Sequence, residues 1–183
     1  MLLFRSFILS FILGTTTYVN AQIINIPDAQ FKTYLVDNYS INTNGDAEIQ
    51  TSEAASYTGV INCEGLEITS LVGIEHFTDI TVLRCKDNMI GTLDVSSNTN
   101  LIEIVCGNNG MTELTIPAGP TLKKIDCSNN LLPTLDLSAN TDFTYINCET
   151  NTLDSIDVSA LPYLQELYIS NNDLIVLDVS ANP

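Results

Sequence analysis

Five cysteines, Cys63, Cys85, Cys106, Cys127 and Cys148, carry the most reactive side chains of this 183-residue chain. From Cys85 onward they recur every 21 residues. Thiols can cross-link, hold a metal or fill a core. In a secreted chain this many would ordinarily suggest disulfides. Here the regular step puts them in one column, with Ile169 in the place after Cys148. If the column runs across stacked strands, neighbouring Cβ atoms sit about 4.8 Å apart, whereas a disulfide needs about 3.8 Å and converging bonds. The spacing therefore predicts buried free thiols, and the odd count leaves one unpaired in any pairing scheme. The alternative is a metal-binding ladder, although zinc needs four ligands aimed at one point and a column does not converge.

A second set of ligand-type residues lies between Asn42 and Glu53. Asn42, Asn44 and Asp46 supply side-chain oxygens at positions one, three and five of a twelve-residue stretch. Glu48 supplies a backbone carbonyl at seven, Ile49 is the apolar eighth residue, and Glu53 closes the set. Calcium takes several oxygen ligands at this spacing, the last acid bidentate. The segment resembles an EF-hand loop, with Ala47 where the sharp turn favours glycine and neutral Asn42 in first place. The resemblance implies weak calcium binding, in the range of about 0.1–1 mM. The alternative is a polar turn that links two elements. No cofactor is otherwise required. Asp94, Asp136, Asp157 and Asp178 form another acidic column, interrupted by Thr115. One carboxylate per repeat gives few oxygens per ion, so turn amides are the expected partners. Catalytic patterns are missing. His76 is the single histidine, and no Gly-rich phosphate loop or Ser-His-Asp set accompanies it. The chain reads as non-enzymatic.

The elements that position these residues follow from the repeat. Ile80, Leu101, Leu122, Phe143 and Leu164 are 21 residues apart, as are Leu83, Ile104, Ile125, Ile146 and Leu167. Asn88, Asn109, Asn130, Asn151 and Asn172 form a further column. Two more run through Leu93, Leu114, Leu135, Ile156 and Leu177, and through Val95, Ile116, Leu137, Val158 and Val179. Each repeat reads as two short alternating segments joined by Asn-, Ser- and Thr-rich turns. One coil cannot offset its own ordering entropy, so coils must stack. The fold class is a mainly β solenoid of parallel strands.

Leu122, Ile125, Cys127, Asn130 and Leu132 carry the pattern of a leucine-rich repeat, which the chain resembles from about residue 60 to 183. The stretch from Ile68 to Ile80 is similar to an internalin-type repeat. That resemblance implies a helical cap before the repeats, a concave parallel sheet that binds protein partners, and asparagines hydrogen-bonded inside the turns. Cysteine stands where leucine is usual in the strand.

Ahead of the repeats, Asp28 to Asn38 places Phe31, Tyr34 and Leu35 at helical spacing after Pro27. It predicts a short amphipathic helix capping the open end of the first coil. Residues 1–21 combine Arg5, an apolar centre from Phe7 to Leu13 and small residues up to Ala21, the pattern of a secretory signal cleaved near Ala21. The domain plan is thus signal 1–21, cap with loop 22–59, and about six coils over 60–183. Six basic residues less Arg5 leave five against 22 acids, a formal charge of −17 for the mature chain. Such a surface repels phosphate backbones and anionic lipid, so nucleic acid and membrane insertion are excluded as roles. A protein, or a glycan, at the cell exterior is the expected partner. The outward strand positions Arg84, Lys86, Val105, Lys124, Tyr145 and Tyr168 are the candidate contacts, because Tyr and Arg most often anchor interfaces. A structural spacer presenting another domain is the alternative role. The apolar columns continue to Val179 without a polar cap, which predicts further chain beyond Pro183.

Overall fold

The computed structural model describes residues 22–183, so the expected signal and its cleavage point lie outside the described residues. Helix α1 spans Ala29–Val36 and buries Phe31 and Leu35. Asp28 starts it: one carboxylate oxygen accepts from the amides of Gln30 and Phe31, which would otherwise lack partners. The other oxygen accepts from the Thr69 amide and hydroxyl, both at 2.8 Å. Burial pushes this carboxyl up, but these hydrogen bonds prevail and hold it below the usual range. One side chain thus caps the helix and ties it to the first coil. A second helix, α2 (Thr51–Ser56), begins within the Asn42–Glu53 stretch and was not anticipated from the apolar spacing.

Eight strands of three residues follow: β1 (Val60–Asn62), β2 (Val82–Arg84), β3 (Thr92–Asp94), β4 (Glu103–Val105), β5 (Glu113–Thr115), β6 (Lys124–Asp126), β7 (Tyr145–Asn147) and β8 (Glu166–Tyr168). Six of them form one parallel sheet in the order β1-β2-β4-β6-β7-β8. Register is strict: Val82, Glu103, Lys124, Tyr145 and Glu166 are successive Cα partners. The step from β1 to β2 is 22 residues, Val60 facing Val82, one more than the later coils. The middle residue of each strand points inward, and Ile61, Leu83, Ile104, Ile125 and Ile146 are fully buried. Each such side chain contributes about 1.5–3 kcal/mol against exposure.

The second alternating segment becomes a strand in only two coils, where β3 pairs with β5. Pro133 accounts for the break after β5. Its counterpart Thr112 donates its amide to Gly91 O across the coils at 2.9 Å. Proline has no amide hydrogen, so the equivalent bond back to Thr112 O cannot form. Leu135 and Leu137 are buried all the same.

The turn after each main strand is fixed by two adjacent residues. Asp87, Asn108, Asn129, Thr150 and Asn171 all take φ between 54° and 58°, a left-handed conformation that Asn and Asp tolerate well. The next residue in each coil is the repeat asparagine. Each of these side-chain amides donates to the carbonyl of the cysteine-column residue in its own coil and in the coil before, as Asn109 does to Cys106 and Cys85. The side-chain oxygen accepts a preceding-coil amide, as when Met111 donates to Asn130 at 3.0 Å. A second ladder escaped the sequence reading: Asn98, Asn140 and Asn182 recur every second coil and donate to carbonyls of the coil before.

Candidate functional site

The cysteines line the dry interior. All five are free and buried. Burial pushes Cys63 and Cys148 up to about 12 and the three thiols between them well above their ordinary value. They are protonated, inaccessible and poor nucleophiles. Among the described residues no group of three or more His, Cys, Asp or Glu is arranged to hold a metal.

The Asn42–Glu53 stretch closes on itself. Glu53 is the third residue of α2, and one carboxylate oxygen accepts from the Gln50 amide in a capping box. The other accepts from the Thr43 amide, the Thr43 hydroxyl and the Asn44 amide. Asp46 accepts from the Glu48 amide and from the side-chain amides of Asn44 and Gln50; the Glu48 amide leads in holding its carboxyl below the usual range. Asn42 accepts from Gly45, and Glu48 pairs with Lys32 at 2.7 Å. The expected ligands lie in one loop, and the side-chain oxygens of Asn42, Asn44, Asp46 and Glu53 are hydrogen-bonded to protein donors.

The acidic column has the bland explanation. Asp94, Asp136, Asp157 and Asp178 each accept from the amide of the serine two residues on, at 2.9 Å. The amide and hydroxyl of that serine hold Asp94, Asp136 and Asp178 below the usual carboxyl range; for Asp157 the hydroxyl leads.

The outward face of the six-stranded sheet is open to solvent. Arg84 is exposed and pairs with Glu103 at 2.7 Å. Lys86 is exposed and lies 3.9 Å from Asp87. Val105 is half-buried, and Lys124 is exposed. A shallow depression of about 200 Å³ runs between Glu103, Val105, Lys124, Asp126 and Tyr145. On the next two strands Tyr145 and Tyr168 sit diagonally, ring centres 5.7 Å apart and planes tilted by 46°. Of the six residues that sequence spacing assigned to one face, Arg84, Val105, Lys124, Tyr145 and Tyr168 lie on β2, β4, β6, β7 and β8, and Lys86 lies two residues beyond β2. Glu103 and Asp126, outward positions by the same spacing, lie on this face too. His76 lies off this sheet, in a single 3₁₀ turn at Ile74–His76.

The geometry has a counterpart among solved structures. The functional domain of InlJ from Listeria monocytogenes, described as including a cysteine ladder, is 30% identical over 88% of this chain, with a TM-score of 0.52. The chain carries an internalin-like leucine-rich-repeat solenoid. It spans 32% of that InlJ domain's length. Two further Listeria monocytogenes structures match at 14% identity. Internalin InlF covers 91% of this chain and 82% of its own, with a TM-score of 0.34. Internalin C2 covers 86% and 93%, with a TM-score of 0.45. No protein-family model and no curated protein sequence matches. Within the described part of this internalin-like solenoid, no helix is long and apolar enough to cross a membrane.

Proposed function

We propose that the chain is an exported, non-catalytic recognition module that binds a protein partner through the outward face of its six-stranded sheet. One observation carries this reading. The sheet holds a mixed row of Arg84, Lys124, Val105 and the Tyr145–Tyr168 pair on a rigid parallel ladder, beside a shallow depression. Aromatic and arginine side chains on a preorganised surface make good anchors, because little side-chain entropy is lost on contact. The inward groups do not compete for this role: the thiols are buried and the loop carboxylates are satisfied by their own amides. Calcium, on this reading, is at most a weak occupant of the Asn42–Glu53 loop. Export rests on the leader-like composition of residues 1–21.

The test uses a displayed library of small folded domains, panned on the purified chain and on Arg84→Ala/Tyr145→Ala/Tyr168→Ala. The expected result is an unchanged circular-dichroism spectrum and loss of most selected binders by the triple variant. Binders that recognise both proteins equally would place recognition on another surface.

A further inference from the structure

We propose that the Tyr145–Tyr168 end of the sheet face is an anchor for one cationic side chain, arginine above all, presented by a basic segment of the protein partner. This deepens the recognition reading above and rests on it. The two rings are adjacent across β7 and β8, and Tyr168 is 43% exposed. Three carboxylates surround them. Glu166 is the cross-strand partner of Tyr145, and it accepts the Tyr168 hydroxyl proton at 3.0 Å. Asp126 and Glu149 bear on Tyr145 from the neighbouring strand and the following turn. Tyr145 is raised first by burial, then by the charges of Asp126, Glu166 and Glu149. Tyr168 is raised by its hydrogen bond to Glu166, then by that residue's charge. Both rings therefore sit in a negative field. None of the four ion pairs among the described residues uses Asp126, Glu149 or Glu166. A guanidinium can lie over a tyrosine face and donate to a carboxylate at its edge at the same time. Asp126 accepts from the Ser128 amide and hydroxyl, Glu149 from the Ser170 hydroxyl and Glu166 from Tyr168, so an acidic group would meet like charge and an apolar one would leave these carboxylates without a counter-charge. Of the basic residues of the face, Arg84 and Lys86 lie on and just beyond β2, at the other end of the sheet, while Lys124 is the cross-strand neighbour of Tyr145. Asp126, Glu149 and Glu166 outnumber that one ammonium, so the tyrosine end keeps a net negative charge.

The probe is a short peptide alternating arginine with glycine, compared with its glutamate counterpart. The readout is the ring-proton NMR signals of Tyr145 and Tyr168 during titration. The arginine peptide should move both rings and the glutamate peptide neither. Tyr145→Ala/Tyr168→Ala should weaken binding about ten-fold, whereas Tyr145→Phe/Tyr168→Phe should retain it, since the ring face remains. Asp126→Asn/Glu166→Gln removes two charges beside the rings and should also weaken binding, whereas Asp136→Asn/Asp157→Asn removes two charges away from them and should leave binding unchanged. Unmoved ring signals, or equal weakening by the control pair, would overturn the anchor. If library binders are lost by the triple variant while the arginine peptide fails here, the recognition face stands and this anchor falls.

Discussion

Replacing Asn130 with alanine tests whether the asparagine ladder holds the coils together. Asn130 is 5% exposed and sits in the middle of the stack. Its amide group donates to Cys106 O, Cys127 O and Ser128 O at 3.2, 2.9 and 3.2 Å. Its oxygen accepts from the Asn109 and Met111 amides at 3.1 and 3.0 Å. Alanine removes all five bonds and leaves two buried amides without an acceptor. An orphaned buried group costs about 1–3 kcal/mol, so the loss should be about 2–6 kcal/mol. Native domains hold only about 5–15 kcal/mol in total, and the urea midpoint should fall steeply. Asn172→Ala is the internal comparison. It makes the equivalent bonds in the last coil but is only half-buried, so water replaces the lost partners and the cost stays near 1 kcal/mol or less. Asn130→Asp should be worse than alanine, because a carboxylate oxygen would then face three carbonyls. Urea denaturation followed by circular dichroism gives the midpoints, and hydrogen exchange at Met111 locates the effect. An Asn130→Ala loss below about 1 kcal/mol, or one equal to that of Asn172→Ala, would refute a ladder role for the buried amide.

Two further outcomes follow from the same interior and from the loop. The thiols have folded pKa values above their ordinary 9.0, with Cys63 and Cys148 at about 12. Their contribution to stability is therefore complete below about pH 9 and is lost as pH rises from there through the folded values. All five should resist a thiol reagent at neutral pH and react at once in urea; fast native labelling, or a stability flat to strong alkali, would contradict the dry column. Glu53→Gln keeps the shape but turns an NH₂ toward backbone donors, so it should cost about 1–3 kcal/mol. Calcium must displace those donors to reach Glu53, so calorimetry on the unmodified chain should give a Kd no tighter than about 0.1 mM; a tight site abolished in the glutamine variant would show that the cation outcompetes them.

Much of this molecule was legible in one dimension. A 21-residue step in Ile80, Leu83, Cys85 and Asn88 is enough to require stacking, because a single coil has too little apolar surface to fold alone. The same step puts the thiols in a column and Tyr145 diagonal to Tyr168, since strand register follows repeat register. The Asp-x-Ser pairs were equally readable, being local bonds between residues two apart. The sequence alone could not tell whether Glu53 waits for a cation or caps α2, because both uses need an acid at that position; the distances to the Gln50, Thr43 and Asn44 amides decide which groups it meets here. Nor could it show that Pro133 halts the second sheet, since Leu135 and Leu137 keep the apolar spacing of a strand while the missing donor acts only across coils. Asp126, Glu149 and Glu166 gather round the tyrosines from different coils. Periodicity fixes what repeats within a coil; which unlike side chains meet across coils is set by three-dimensional packing.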